Sequence, residues 1–342
     1  MAFFENMTGE GDSERRRLGF RDLAAPQAIP ELEVPPLVAK SGVARLSIVS
    51  NSALILLKIV AGAITGSIAI LTEAVHSSID LVASLVAYVS IRKAEEPADA
   101  THMYGHAKME NLAAAIEGIL ILVGAAVIVY EAVHRLVSGA HISSLGFGIG
   151  AIAVSAVVNL GVSTYLYGRA RAFDSPALEG DAAHLRVDAF TSLGVLAGLV
   201  LIAVTGVNEL DSVVALVVAA AIVYAGLRLV TRSSRVLVDE ALPPEELDAV
   251  REAIASYPSH EVVGFHKLRG RRAGSARHID LHVQFASGTT LERAHEIAHE
   301  LQDAIQARIR GADVLVHLEP ADTVVDQRRE QSARRKRLEE GP

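Results

Sequence analysis

No cysteine occurs anywhere in the 342 residues, which excludes a disulfide framework, thiolate-held zinc and a cysteine nucleophile. Tryptophan is absent too, and aromatic residues make up only 4%, so any interfacial aromatic belt is thin. Residues 1–40 hold no long apolar run, and no signal peptide is expected there; the first such run opens near Val43. What the chain has in quantity is apolar surface. Apolar residues reach 51% and the mean hydropathy is +0.33, too apolar for an ordinary soluble protein and sufficient for several membrane spans. The net charge of −8 is a weak guide, because membrane and soluble parts must be weighed apart, and no nucleic-acid partner is expected.

One pattern occurs twice. Glu73-Ala-Val-His76-Ser-Ser-Ile-Asp80 and Asp181-Ala-Ala-His184-Leu-Arg-Val-Asp188 both read acid, two residues, His, three residues, Asp, and both lie in long apolar segments. On a helix, positions three and four apart share a face. Each copy therefore lines one face with an acid, an imidazole and a carboxylate. Ionisable groups in a membrane helix are costly and normally face the bundle interior or a wet cavity. Two antiparallel helices presenting His76, Asp80, His184 and Asp188 to one another would form an N2O2 site suited to a tetrahedral transition metal, zinc first. The bland alternative, a polar packing interface, fits the repetition of the whole pattern poorly.

Six helices are expected at 44–64, 67–91, 111–136, 143–168, 176–205 and 209–231, each near or above the ~20 residues a bilayer needs. Arg45, Arg92 with Lys93 and Lys108, Arg169 with Arg171, and Arg228, Arg232 and Arg235 fall on one side. The positive-inside rule then puts both termini in the cytoplasm. The two His-Asp pairs reach the middle of a ~30 Å core from opposite directions. Glu73 lies on the outer side of that site and Asp181 on the inner side, where acids suit cation passage or proton exchange, or simply cap wet stretches of helix. Glu117 stands in an otherwise apolar third helix and is expected to face the pore, on the proton or entry path with Glu73 and Asp181, in a structural role rather than as a ligand. Lys58 is expected to snorkel to an interface. Asn51 and Asn159 are further polar residues inside the spans.

The loop after the second helix places Asp99, His102 and His106 at spacings of three and four. Three N/O ligands that close can hold a divalent metal, although loop His and Asp are often only solvated. Four regions result: a disordered tail at 1–40, a six-helix transmembrane domain at 41–235, a soluble α+β domain at 240–325 and a charged tail at 326–342. In the soluble domain, a helix starting at Pro243, strands at 262–268 and 277–285, a helix at 290–309 and a strand at 313–318 give the order αββαβ, a small sheet with helices on one face. His266, His282 and His317 fall on strands, while His295 and His299 share a helix face.

The sequence resembles the cation diffusion facilitator family over residues 40–325. The resemblance is carried by Gly66-Ser67 followed by His76 and Asp80, by Tyr104-Gly-His106-Ala-Lys-Met-Glu110, by Ser175-Pro176 leading to His184 and Asp188, and by Val314-Leu-Val-His317-Leu-Glu319-Pro320. It implies a multi-pass protein of the bacterial inner membrane. Its protomers would be six-helix bundles with a cytoplasmic, ferredoxin-like (metallochaperone-like) domain, paired as a homodimer in the lipid bilayer. The activity implied is metal export in exchange for protons, with no organic cofactor and no enzymatic reaction. It implies that His76, Asp80, His184 and Asp188 form the transport site and that Asp99, His102 and His106 form a loop site. His266, His282, His317, Glu319 and, more loosely, His295 match a metal site of the cytoplasmic domain, with zinc bound structurally as well as transported. Two imidazoles favour zinc, cobalt or cadmium over harder ions such as manganese, with iron also allowed.

Two rival classes remain. His295-Glu296-Ile-Ala-His299 spells HExxH, the signature of a zinc protease, but a third ligand and a substrate cleft are needed and neither is evident in so small a domain. A metal-gated channel or sensor is the other, distinguished by indifference to a pH gradient.

Overall fold

The computed structural model describes residues 40–65, 68–138, 148–207 and 209–321. All but residue 40 of the tail expected at 1–40, and the whole of that expected at 326–342, lie outside the described residues. Among the described residues six long helices come first: α1 (Lys40–Thr65), α2 (Ile68–Ala94), α3 (Lys108–Ser138), α4 (Gly148–Phe173), α5 (Pro176–Thr205) and α6 (Glu209–Leu237). Four of them, α1, α3, α5 and α6, contain stretches long and apolar enough to cross a membrane. Besides apolar clusters, the bundle buries a set of polar side chains and leaves many large apolar ones exposed. Ser47, Asn51, Asp80, Ser84, Glu117, Asp181 and His184 are buried, whereas Val49, Leu56, Val82, Val123 and Val217 are exposed. That inversion suits a hydrocarbon solvent, in which apolar side chains have no reason to hide and polar ones must find partners.

Several helices outrun the apolar segments that announce them. α2 continues through Arg92 and Lys93 to Ala94, α4 through Arg169 and Arg171 to Phe173, and α6 through Arg232 and Arg235 to Leu237. Apolar sequence ends at the membrane edge, but a helix ends where its hydrogen bonding is interrupted. α4 stops at Asp174, whose φ is +50°, just before the cap of α5. There Ser175 accepts a hydrogen bond from Leu178 N–H, Pro176 occupies the first turn, and the far end closes on Gly206 with its N–H bonded to the Ile202 carbonyl. Lys58 does not snorkel: it is 5% exposed and donates to Ser77 Oγ at 2.7 Å, because a hydroxyl on the neighbouring helix satisfies it inside the bundle.

The second domain comprises α7 (Pro244–Ala255), β1 (Val262–Ala273), β2 (Ala276–Phe285), α8 (Leu291–Arg308) and β3 (Ala312–Pro320). The sheet order is β1-β2-β3, with β1 antiparallel and β3 parallel to β2. Ile279, Leu281, Val283 and Phe285 alternate on β2 and bury one face against Val250 and Ile254 of α7 and Ile297, Leu301 and Ile305 of α8. β1 runs past its apolar part to Ala273, because Arg269–Ala273 pair in register with Ala276–Asp280 across a tight turn.

That turn meets the membrane helices. Gly274 N–H donates to Asn111 Oδ1 at 2.8 Å. Lys40 Nζ donates to both Ser275 Oγ and Glu110 Oε1 at 3.0 Å, and Ser175 Oγ donates to the other oxygen of Glu110. Arg277 pairs with Asp174 at 2.5 Å and with Glu246 at 3.3 Å. Gly274 has φ +56°, and a Cβ there would lie 2.6 Å from the Ala107 carbonyl oxygen. Gly274→Ala is therefore expected to destabilise this junction by more than the about 1–2 kcal/mol of a left-handed alanine alone. Hydrogen exchange should rise at the start of α3 and in the β1–β2 turn, and unchanged protection at both places would refute the expectation.

Candidate metal centre

α2 and α5 bring Asp80, His184 and Asp188 together inside the bundle. One donor atom from each lies within 4.8 Å of the others. His184 Nε2 is 3.3 Å from Asp80 Oδ1 and 3.9 Å from Asp188 Oδ2, and the i,i+4 spacing of His184 and Asp188 puts both on one face of α5. His76 is one turn before Asp80 on α2, and Glu73 lies almost two turns before it; the side chains of both lie outside the described residues.

Two further acids surround the cluster. Glu117 of α3 is fully buried, with Oε2 3.5 Å from His184 Nδ1. It reaches that position because α3 and α5 approach closely at Gly180, where a Cβ would lie 3.1 Å from Ala114 Cα and 3.2 Å from Glu117 Cγ. Asp181 sits one turn before His184 and accepts hydrogen bonds from Ser47 Oγ at 3.0 Å and Ser84 Oγ at 2.9 Å. Asn51 donates to Ser84 at 2.9 Å. Ser47 and Ser84 were not singled out by sequence reasoning. The signal was present in the i,i+4 pairs Ser47–Asn51 and Asp80–Ser84, but serine is too common in membrane helices to stand out.

The donors fit a cation better than they fit one another. Neither oxygen of Glu117, nor His184 Nδ1, has a hydrogen-bond partner among the described residues. Buried polar atoms in that state are expensive unless something else engages them.

Asp99, His102 and His106 also come together in the α2–α3 loop. Asp99 Oδ1 is occupied by the Thr101 N–H and hydroxyl and the His102 N–H, at 2.7–2.8 Å. The side chain of Thr101, then the backbone of His102 and Thr101, hold this carboxyl well below the usual range. Its Oδ2 remains turned to His106 Nε2 at 3.3 Å, and both ring nitrogens of buried His106 lack hydrogen-bond partners.

In the second domain, strand register puts three histidines in a row, with His266 opposite His282 and His282 opposite His317. Glu319 lies between the rings of the first two, 2.7 Å from His266 Nε2 and 2.5 Å from His282 Nδ1. Burial pushes its carboxyl up, but the hydrogen bonds from His282 and His266 outweigh that and leave it below the ordinary glutamate value. The His317 ring lies tilted by 50° against that of His282, with centroids 4.4 Å apart, and its Nε2 is 3.8 Å from Glu319. His295 does not join this group. It lies on the exposed face of α8 and meets His299 instead, Nε2 to Nε2 at 3.2 Å. The reason is helical phase: Ala294, Ile297, Ala298 and Leu301 take the inward face. Glu296 of the HExxH sequence is bound to Arg293, and no third ligand joins the pair among the described residues.

Apolar helices long enough to cross a membrane, with an N/O donor cluster buried between them and a small α+β domain attached, suit a membrane protein that handles cations. The family model of the cation efflux transmembrane domain matches residues 44–238, and that of the cation efflux protein cytoplasmic domain matches residues 242–321. An uncharacterized transporter of Synechocystis is 36% identical over 81% of this chain and 89% of its own length. The cation-efflux pump FieF of Serratia proteamaculans is 34% identical over 81% and 91%. A solved structure named for the zinc transporter CzrB, in a zinc form, is 31% identical and covers 25% of this chain and 94% of its own, with a TM-score of 0.24. The chain belongs to the cation diffusion facilitator family of metal transporters.

Proposed function

We propose that the protein exports a divalent transition-metal ion, zinc first, in exchange for protons, by exposing one intramembrane site alternately to the two sides. The observation that carries this reading is the buried cluster of Asp80, His184 and Asp188, with donor atoms within 4.8 Å of one another. His76 is proposed as its fourth ligand. Imidazole beside carboxylate favours zinc, cobalt or cadmium over manganese. Coupling to protons follows from the ligands themselves, since a histidine binds metal only when neutral and metal loading releases protons. Glu73 and Asp181 are proposed to line the outer and inner approaches, and the loop and sheet clusters to bind metal on the cytoplasmic side. The working unit is proposed to be a homodimer in a bacterial inner membrane with both termini inside, without an organic cofactor.

Purified protein in sealed vesicles, given a panel of metals and an acid interior, tests this. Zinc is expected to accumulate faster when the gradient is imposed, with the interior pH rising as metal enters. Flux that ignores the gradient would point to a channel and would sink the exchange mechanism. Preference for manganese over zinc would sink the assignment of the metal.

A further inference from the structure

The face of α5 opposite the donor cluster carries a feature that metal transport does not use. Arg186 stands between His184 and Asp188 in sequence but, two positions from each, projects from the other side of the helix. It lines a cleft of about 560 Å³ between α4, α5 and α6 together with Arg171, Arg228 and Arg232. Three of those residues, Arg171, Arg228 and Arg232, also border a cavity that touches Arg272 and Gly274 of the second domain, so the cleft lies at the cytoplasmic end of the bundle. Four guanidiniums face one acid, Glu179, which pairs with Arg232 at 2.6 Å. Among the described residues no ion pair reaches Arg171, Arg186 or Arg228. Arg186 is stacked at 4.1 Å from the centre of the Tyr167 ring, and its Nε is buried without a hydrogen-bond partner.

A second cavity, of about 570 Å³, continues from Tyr167 and Arg186 between α5 and α6. Its walls are apolar, with Phe190, Leu193, Val217 and Val218 among them, and Phe190 and Val217 are exposed on the outside of the bundle. The cationic cleft, running from Arg171, Arg228 and Arg232 at the cytoplasmic end of the bundle inward to Arg186, therefore opens directly into an apolar groove on the outside of the bundle. A free anion would fill only the first. A second copy of the chain would leave the arginines uncompensated unless it brought acids to them.

We propose that this composite site binds one anionic phospholipid of the cytoplasmic leaflet, its phosphodiester held by Arg186, Arg171 and Arg228 and one acyl chain lying in the α5–α6 groove. Basic clusters at the inner membrane face attract anionic lipid, and guanidinium is well matched to phosphate geometry. Arg186 also ties the lipid to the helix that carries His184 and Asp188, so bound lipid is placed to restrain the motion of α5.

The test uses the full-length protein extracted from vesicles of phosphatidylcholine with or without phosphatidylglycerol, with retained lipid counted by native mass spectrometry. This readout does not depend on transport, so its failure is separate from failure of the metal assignment. Wild-type protein is expected to retain phosphatidylglycerol preferentially. Arg186→Gln and Arg228→Gln are each expected to reduce retention by about five-fold, the effect of about one cationic contact near a membrane surface, while Arg169→Gln, at the same membrane edge but outside the cleft, has no such effect. Either cleft variant alone suffices if the other fails to fold. Retention unchanged in both would overturn the proposal. So would displacement of the lipid by inorganic phosphate, which marks a soluble-anion site, or loss of dimer with lipid retention intact, which marks a protein interface.

Discussion

Asp188→Ala and His76→Ala are each expected to abolish zinc uptake into vesicles while leaving a folded, membrane-inserted protein. The expected fall exceeds about 100-fold, because loss of mere outer-shell partners of a metal ligand already costs about 10–100-fold. Folding should survive the aspartate change for an electrostatic reason. Asp80, Asp188 and Glu117 all lie around the single imidazole of His184, and removing one carboxylate relieves repulsion among those that remain. The His76 variant asks a separate question, whether α2 contributes an imidazole to the same ion as Asp80. Binding measured by calorimetry and flux measured in vesicles should fall together. Wild-type flux in either variant would show that the ion travels by another route.

The sites differed in how readable they were, and the difference is one of sequence distance. The pair His184 and Asp188 could be placed on one face from spacing alone, since four residues make nearly one helical turn, and the matching pattern on α2 located their partner Asp80. The loop cluster was readable for the same reason, being contained in eight consecutive residues from Asp99 to His106. The row His266, His282 and His317 needed strand register, which alternation suggests but pairing decides. His295 shows the limit: a histidine of the same domain points to the outside when the apolar residues of its helix claim the inner face.

What could not be read was anything made by the crossing of elements distant in sequence. The junction of Lys40, Glu110, Ser175 and Ser275 draws on four separate segments, and no local pattern links them. Lys58 was misplaced because its partner, Ser77, is a residue type that carries no signal. Arg186 was hidden by its neighbours, since the acid-His-Asp pattern accounts for that stretch of α5 and leaves the intervening arginine unremarked. Helix ends past the charged flanks were missed because hydropathy marks the membrane boundary, whereas backbone hydrogen bonding sets where a helix stops.

Glu117→Gln is expected to weaken metal binding by about 10–100-fold, the usual cost of losing an outer-shell carboxylate, without loss of fold. The geometry gives the reason. A carboxylate 3.5 Å from His184 Nδ1 favours the tautomer with its proton on Nδ1, which leaves the Nε2 lone pair directed to Asp80 and Asp188. An amide in the same place can offer an N–H to Nδ1 and so favour the opposite tautomer, with Nε2 protonated and closed to the ion. Gln has nearly the same volume as Glu, so the close α3–α5 approach at Gly180 is kept and packing is not the variable. A purely structural role for Glu117 predicts a change in melting temperature alone. A positioning role predicts weaker metal affinity with an altered dependence on pH, because Glu117 holds the Nδ1 proton that stays on the ring and so fixes Nε2 as the nitrogen that gives up its proton on loading. Metal affinity within two-fold of wild type across the pH range would remove Glu117 from the site.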